Sequence, residues 1–388
     1  MRIKQNKKGI VGILLVFFLC LLFFDWHRQG YFFIVLPFIY MVFKHTFRLV
    51  DSNFVLLLSF GALYGIIDYY NTGNIGYAGF FQPIINFPLL YLAGKELGLK
   101  NEDAQLNKVL LIIALAIGAL VICSVGVDVR ENGFAVTYRS VQIIGDTDLE
   151  ASATNAASRL IPLFVFFSLL FLRVEHKKFW LLSIVAAIVA TICSIRIQSR
   201  SSIIIVAIAF LVALLGSSSS KRDLFYKIIP LVILVLLIPF LFQLYSSDIY
   251  MISRFQDSEE LSSGHDRTAL ANGMIPLLLE HPFGGLKTLK YAHNLWLDIA
   301  RVSGWFPLFL FLVVTIRWIK YTIYLYKDKT RNNVFRILAV AMSVCLFVYF
   351  NVEPILEGAS VLFSYFCVFL GILSTKTTPK FAQRSPNI

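Results

Sequence analysis

Residues 7–28 read KKGIVGILLVFFLCLLFFDWHR. Lys7 and Lys8 precede an uncharged apolar run from Ile10 to Phe24, an arrangement that resembles a secretory signal peptide. Where small residues would mark a cleavage site, the chain has Asp25-Trp26-His27-Arg28 instead. The run is therefore expected to stay attached and to cross a membrane.

Runs of the same kind recur along the chain. They lie near Tyr31 to Phe43, Phe54 to Ile67, Gly79 to Ala93, Val109 to Val125, Leu160 to Leu172 and Phe179 to Ile195. Others lie near Ile203 to Leu215, Ile228 to Leu244, Trp305 to Ile316, Ile337 to Phe350 and Val361 to Leu373. With the first run this predicts an all-α, polytopic integral membrane protein of about twelve transmembrane helices. Several runs are shorter than the ~20 residues of a straight crossing, so their ends must borrow Tyr, Trp and Ser from the interfacial zone.

Composition agrees. The 388 residues are 58% apolar and 15% charged, with 36 Phe, and mean hydropathy is +0.74. This excludes a single soluble core as well as disordered, collagenous and disulfide-stapled classes. Cys20, Cys123, Cys193, Cys345 and Cys367 all fall inside apolar runs, so neither disulfides nor a metal cluster are expected. The net charge of +12 points to membrane topology rather than to nucleic acid, because no loop is long enough to build a basic reading domain.

The charges sort by side. If the first end is cytoplasmic, 24 of the 35 basic residues and 7 of the 23 acidic ones face inward, giving +17 (24 minus 7). The outer face keeps 11 basic and 16 acidic residues, giving −5 (11 minus 16). By the positive-inside rule both termini are cytoplasmic. The chain then reads as a single membrane domain, 1–388, with two long outer loops at 126–159 and 245–304. Long loops retained in a compact protein are commonly functional.

No charged residue stands in mid-span, which argues against ion-coupled transport. HExxH, CxxC, GxxxxGK[ST] and GxSxG are all missing, which argues against nucleotide-dependent or zinc-dependent chemistry. No cofactor and no metal is expected. What stands out is arginine on the side where topology disfavours it. Arg196 and Arg200 flank the tight connection Ile197-Gln198-Ser199. The plain explanation is snorkelling at the interface. The functional one is a phosphate clamp, since guanidinium forks match phosphate oxygens and stay charged at every relevant pH.

The second outer loop is richer. Ser263-Gly264-His265-Asp266-Arg267 leads into an amphipathic stretch, Thr268 to Leu279, whose Leu270, Met274, Leu277 and Leu278 recur at helical spacing. This stretch is expected to lie on the membrane face as a short helix ended by Pro282 and Gly284-Gly285. A further amphipathic turn sets Leu295, Ile299 and Val302 on one face and Asp298 and Arg301 on the other. Alone, His293 reads as a structural histidine. With arginines nearby it becomes a candidate to take a proton from a hydroxyl. The combination describes attack by a sugar hydroxyl on an anomeric carbon activated by a lipid pyrophosphate, a donor that requires neither nucleotide nor metal.

The stretch Glu280-His281-Pro282-Phe283-Gly284-Gly285, followed by His293-Asn294, Leu297 and Gly304, resembles the outer-loop signature of bacterial O-antigen polymerases (the Wzy family) and O-antigen ligases. Ser199-Arg200 at the head of an apolar span is similar to the Ser-Arg element of the same superfamily. Residues 292–301 and Glu353-Pro354-Ile355-Leu356-Glu357-Gly358 resemble polymerases more than ligases.

The resemblance implies a GT-C-like glycosyltransferase of the bacterial inner membrane whose active site, in loop 245–304, faces the periplasm. Arg200 and Arg267 would bind the pyrophosphate of the polyprenyl carrier, with Arg196 as a second phosphate contact. His293 would orient or deprotonate the acceptor hydroxyl, and Asn294 would fix the loop or the imidazole. Glu280, Glu353 and Glu357 would meet sugar hydroxyls or pair with arginine, although for each a solvated outer-face charge is the plainer explanation. His265 and His281 read as structural or solvated. Implied partners are an undecaprenyl-pyrophosphate-linked oligosaccharide, membrane lipids and a chain-length regulator. The alternatives are a ligase that delivers the glycan to lipid A core, and a flippase or exporter of lipid-linked sugars that forms no bond.

Overall fold

The computed structural model describes residues 2–25, 33–73, 77–134, 136, 138–144, 150–217 and 272–377. Within them the chain is mostly helical, and eight helices are long and apolar enough to cross a membrane. We number the helices in chain order: α1 Arg2–Phe24, α2 Val35–Phe43, α3 Ser52–Thr72, α4 Phe87–Lys100, α5 Asp103–Asn132, α6 Ala153–Phe164, α7 Lys177–Arg196 and α8 Arg200–Ser217. A helix over 272–280 is α9. Then follow α10 Leu295–Ser303, α11 Trp305–Lys327, α12 Asn333–Phe350, α13 Ile355–Gly358 and α14 Ser360–Thr377.

The eight candidate spans are α3, α5, α6 with its 3-10 continuation to Phe171, α7, α8, α11, α12 and α14. They match eight of the twelve expected runs. The first run is helical in α1, and its described apolar part, Gly12–Phe24, is short for a crossing. In the second, whose residues 31–32 lie outside the described residues, α2 has nine residues, about 14 Å at 1.5 Å per residue against a hydrocarbon core of about 30 Å. His45, in a left-handed conformation (φ 53°), turns the chain just beyond it.

The fourth run is a π-helix, Tyr77–Asn86, that continues into α4. Pro83 sits inside the wide turn, and a Cβ at Gly61 of α3 would overlap the Pro83 carbonyl, so α3 nests directly against it. The ninth run, Ile228 to Leu244, lies outside the described residues. The expected first long loop, 126–159, takes in the end of α5, the start of α6 and the segment between them. Helix α5 runs on to Asn132 and α6 begins at Ala153, leaving room for a small antiparallel hairpin that pairs Ser140 with Ser152 and Val141 with Ala151.

Local signals explain the helix ends. The Asp51 carboxylate accepts hydrogen bonds from the Asn53 and Phe54 amides at 3.0 Å and caps α3, which Gly73 closes at φ 66°. Glu102 and Gln105 form a reciprocal capping box at the start of α5. The closest helix packing joins α4 to α14. A Cβ at Gly94 would overlap the Val368 carbonyl, and one at Gly371 would overlap the Tyr91 carbonyl, so the two backbones touch as only glycine allows.

Polar groups gather at the two ends of the bundle. At one end Lys95 pairs with Asp51 at 2.6 Å, and Asp103 receives Lys376 at 3.2 Å and Arg331 at 3.4 Å. At the other end α3, α5, α7 and α12 finish, while α6, α8, α11 and α14 begin. That end carries α9, α10 and the candidate site.

Candidate active site

The site is built on a glycine clasp. The Gly284 amide donates to the His281 carbonyl at 3.0 Å, and the Gly285 and Leu286 amides donate to the Val302 and Arg301 carbonyls at 3.2 and 3.0 Å. The Trp305 amide closes the ring onto the Pro282 carbonyl at 3.0 Å, and its indole donates to the Leu278 carbonyl at 2.8 Å. Gly284 and Gly304 lie back to back with φ of 77° and 81°. A Cβ on Gly284 would stand 2.6 Å from both the Gly304 nitrogen and the Val302 oxygen. The spacing from Pro282-Phe283-Gly284-Gly285 to Gly304 is thus the signature of a close backbone contact. It fastens α9 to the start of α11.

The expected α9 forms over 272–280, with Met274 and Leu278 buried and Pro276 inside it without ending it. Glu280, at its last turn, is exposed, and so is His281.

Beyond the clasp, 286–292 forms a loop that ends at His293. This histidine holds a left-handed backbone (φ 52°), and its Nδ1 is buried with no hydrogen-bond partner among the described residues. Nδ1 lies 3.9 Å from Oε2 of Glu353, whose side chain is only 5% exposed. The Thr154 hydroxyl donates to the same Glu353 oxygen at 3.3 Å, and the Tyr349 hydroxyl donates to the Thr154 carbonyl at 3.1 Å. One imidazole and one buried carboxylate from segments sixty residues apart (353 minus 293) therefore stand 3.9 Å from each other.

Asn294 is the N-cap of α10, accepting from the Trp296 and Leu297 amides at 3.1 and 3.2 Å, and its Nδ2 donates to Asn351 at 3.2 Å. Asp298 and Arg301 depart from the amphipathic reading. Both are buried together with Leu295, Ile299 and Val302, so α10 buries its charged face as well as its apolar one, leaving Trp296 and Leu297 half-buried. Arg301 pairs with Asp298 at 3.0 Å and with Glu357. Burial raises the Asp298 carboxyl above its ordinary value, opposed by the Ala292 amide and the Arg301 charge. Burial likewise raises Glu357, opposed by Arg301 and reinforced by Asp298. Next to them Lys287 of the loop reaches both oxygens of Asp68 at the end of α3, at 2.8 and 2.7 Å.

The arginines are placed differently from one another. Arg196 is fully buried, paired with Asp128 at 2.5 Å, and donates to the Tyr138 hydroxyl at 3.0 Å and the Gly133 carbonyl at 3.1 Å. Its guanidinium ties α7 to α5 and to the first loop. Arg200 opens α8, which runs antiparallel to α12. The Cys345 thiol donates to the Ile205 carbonyl at 3.7 Å, and a Cβ at Gly216 would overlap Ile337. Arg200 stands five residues, about 7.5 Å, beyond Ile205, on the same end of this helix pair as Asn351 and Glu353. Arg267 lies outside the described residues, as does His265.

The structure thus joins His293 to Glu353 and Glu357 to Arg301, and sets Asn294 in a cap. Asp68, Asp128, Asp298, Lys287, Thr154 and Arg301 were not singled out as site residues from the sequence. The Asp298/Arg301 spacing of three along a helix was the one available signal for a pair. The Lys287–Asp68 pair spans 219 residues and left none. No family model matches the chain, and no curated protein matches it.

Proposed function

We propose that the protein is a metal-independent membrane glycosyltransferase: a polymerase of O-antigen or a related surface polysaccharide. It works on the periplasmic face of a bacterial inner membrane, with both termini in the cytoplasm. It transfers a growing glycan from undecaprenyl pyrophosphate to the next lipid-linked repeat unit. The observation that carries this reading is the pairing of His293 Nδ1 with the buried Glu353 carboxylate at the end of the bundle where Arg200 also stands.

A carboxylate facing Nδ1 favours the tautomer protonated there and leaves Nε2 as the base. The acceptor hydroxyl oxygen attacks the anomeric carbon and its proton passes to Nε2. The bond from the anomeric carbon to the phosphate oxygen breaks, and the pyrophosphate leaves with the electron pair. Arg200 and Arg267 bind that departing charge. Arg196, held by Asp128 and Tyr138, supports the connection that presents Arg200. Glu280 is left as the carboxylate exposed to sugar hydroxyls.

The test is product length in vesicles that contain purified protein and lipid-linked repeat units. Wild type should lengthen the glycan without a gradient. His293→Asn, which tolerates the left-handed backbone, and Arg200→Ala and Arg267→Ala should each lower transfer by about 100-fold or more at unchanged abundance. Wild-type lengths from all three variants would overturn the assignment. Transfer only to lipid A core would make the protein a ligase, and movement of substrate without a new bond would make it a flippase.

A further inference from the structure

Loop 286–292 carries His293 and has no regular structure of its own; Lys287 ties its start to Asp68, and along most of its length it wraps around one guanidinium, that of Arg301. Arg301 is fully buried, so each of its N–H groups needs an acceptor inside the protein. Its Nη1 reaches the Leu286, Lys287 and Leu289 carbonyls at 3.3, 3.1 and 3.1 Å. Its Nε donates to Asp298 Oδ1 at 3.0 Å, and the same oxygen accepts from the Ala292 amide at 2.9 Å. Ala292 immediately precedes His293. The Tyr291 ring covers the guanidinium with its centroid 5.3 Å away. Nη2 completes the set on Glu357, four residues after Glu353.

We propose that Arg301 is the positioning residue of the site: its guanidinium fixes the loop that bears His293 and, through Glu357, the segment that bears Glu353, and so sets the imidazole against its carboxylate. This rests on the reading of His293 as the proton acceptor. Only a planar fork serves three carbonyls and two carboxylates from one point. A lysine ammonium at the same place keeps the charge and loses the fan of donors. Residues 286–292 are thereby a shaped holder rather than a connection.

The test uses the full chain in lipid vesicles, with Arg301→Lys and Glu357→Gln beside wild type. Hydrogen–deuterium exchange is followed at 286–293 without substrate, and transfer is followed with lipid-linked repeats. In Arg301→Lys, exchange across 286–293 should rise while protection of α11 and α12 is kept. The turnover number should fall by about 100-fold with little change in KM, as a misplacement of about 1 Å at a reacting group produces. Glu357→Gln keeps an acceptor for Nη2 and should show the same pattern with a loss of about 10-fold, a smaller step of the same misplacement. It carries the test where Arg301→Lys is not recovered folded. Unchanged exchange at 286–293 in both variants overturns the proposal, and so does a loosened loop with wild-type turnover. If wild type transfers nothing, the reading of the reaction falls. Exchange at 286–293 then decides by itself whether Arg301 shapes the loop.

Discussion

At the scale of single residues, Gly304 shows how much backbone geometry rests on a missing Cβ. It has φ 81° and lies against the Pro282 carbonyl and Phe283. Gly304→Ala incurs left-handed strain of about 1–3 kcal/mol and in addition pushes the clasp apart. The thermal midpoint in detergent should fall by several degrees, and α9 should become protease-sensitive; a midpoint equal to wild type would show that the clasp carries no strain. Glu357 supports a second expectation. Burial raises its carboxyl above the ordinary 4.5, so the native state holds the proton more tightly than the unfolded chain. Its contribution is most favourable below 4.5 and declines as pH rises through the raised value. Stability measured upward from pH 4 should fall less steeply in Glu357→Gln than in wild type. These residues were unequally legible. Gly284-Gly285 and Gly304 announce a tight turn by type alone. The burial of Asp298 and Arg301 did not show, because an i, i+3 pair with apolar neighbours looks the same on a solvated face.

At the scale of elements, α10 is set by its cap. Asn294 supplies both the oxygen that caps two amides and the nitrogen that meets Asn351. Asn294→Asp keeps the first role and loses the second, whereas Asn294→Ala loses both. Thermal unfolding should place Asp within about 0.5 kcal/mol of wild type and Ala about 1 kcal/mol below it; equal loss from both would assign the residue's weight to the Asn351 contact. The long apolar runs were readable because eight of them form helices able to cross a membrane. The run from Tyr31 to Phe43 did not disclose where the chain turns, because hydropathy does not record it; His45 turns the chain just beyond α2. The π-helix at Tyr77–Asn86 was hidden for a related reason: Pro83 normally signals a break, and here the widened turn absorbs it.

At the scale of the whole molecule, the two polar ends give the proposed orientation a direct check. Glu280, at the end with the candidate site, and Lys329, at the other, are both exposed. With Cys123 changed to Ser, Glu280→Cys should react with a membrane-impermeant maleimide on intact spheroplasts. Lys329→Cys should react only after the membrane is opened, and the reverse order would invert the topology. Sidedness was inferred from charge alone; Lys95, Lys376 and Arg331 stand at the end of the bundle away from His293. The meeting of His293 with Glu353 was beyond such a reading, since it depends on how α10 and α12 pack.

The glycine contact between α4 and α14 bears on biogenesis. Gly94 and Val368 are 274 residues apart (368 minus 94), yet their backbones touch. During synthesis α4 is made long before its partner leaves the ribosome, so the face that bears Gly94 stays uncovered until Ser360–Thr377 is added. The closing helix acts as a latch, and a chain that stops short of Ser360 leaves that face open.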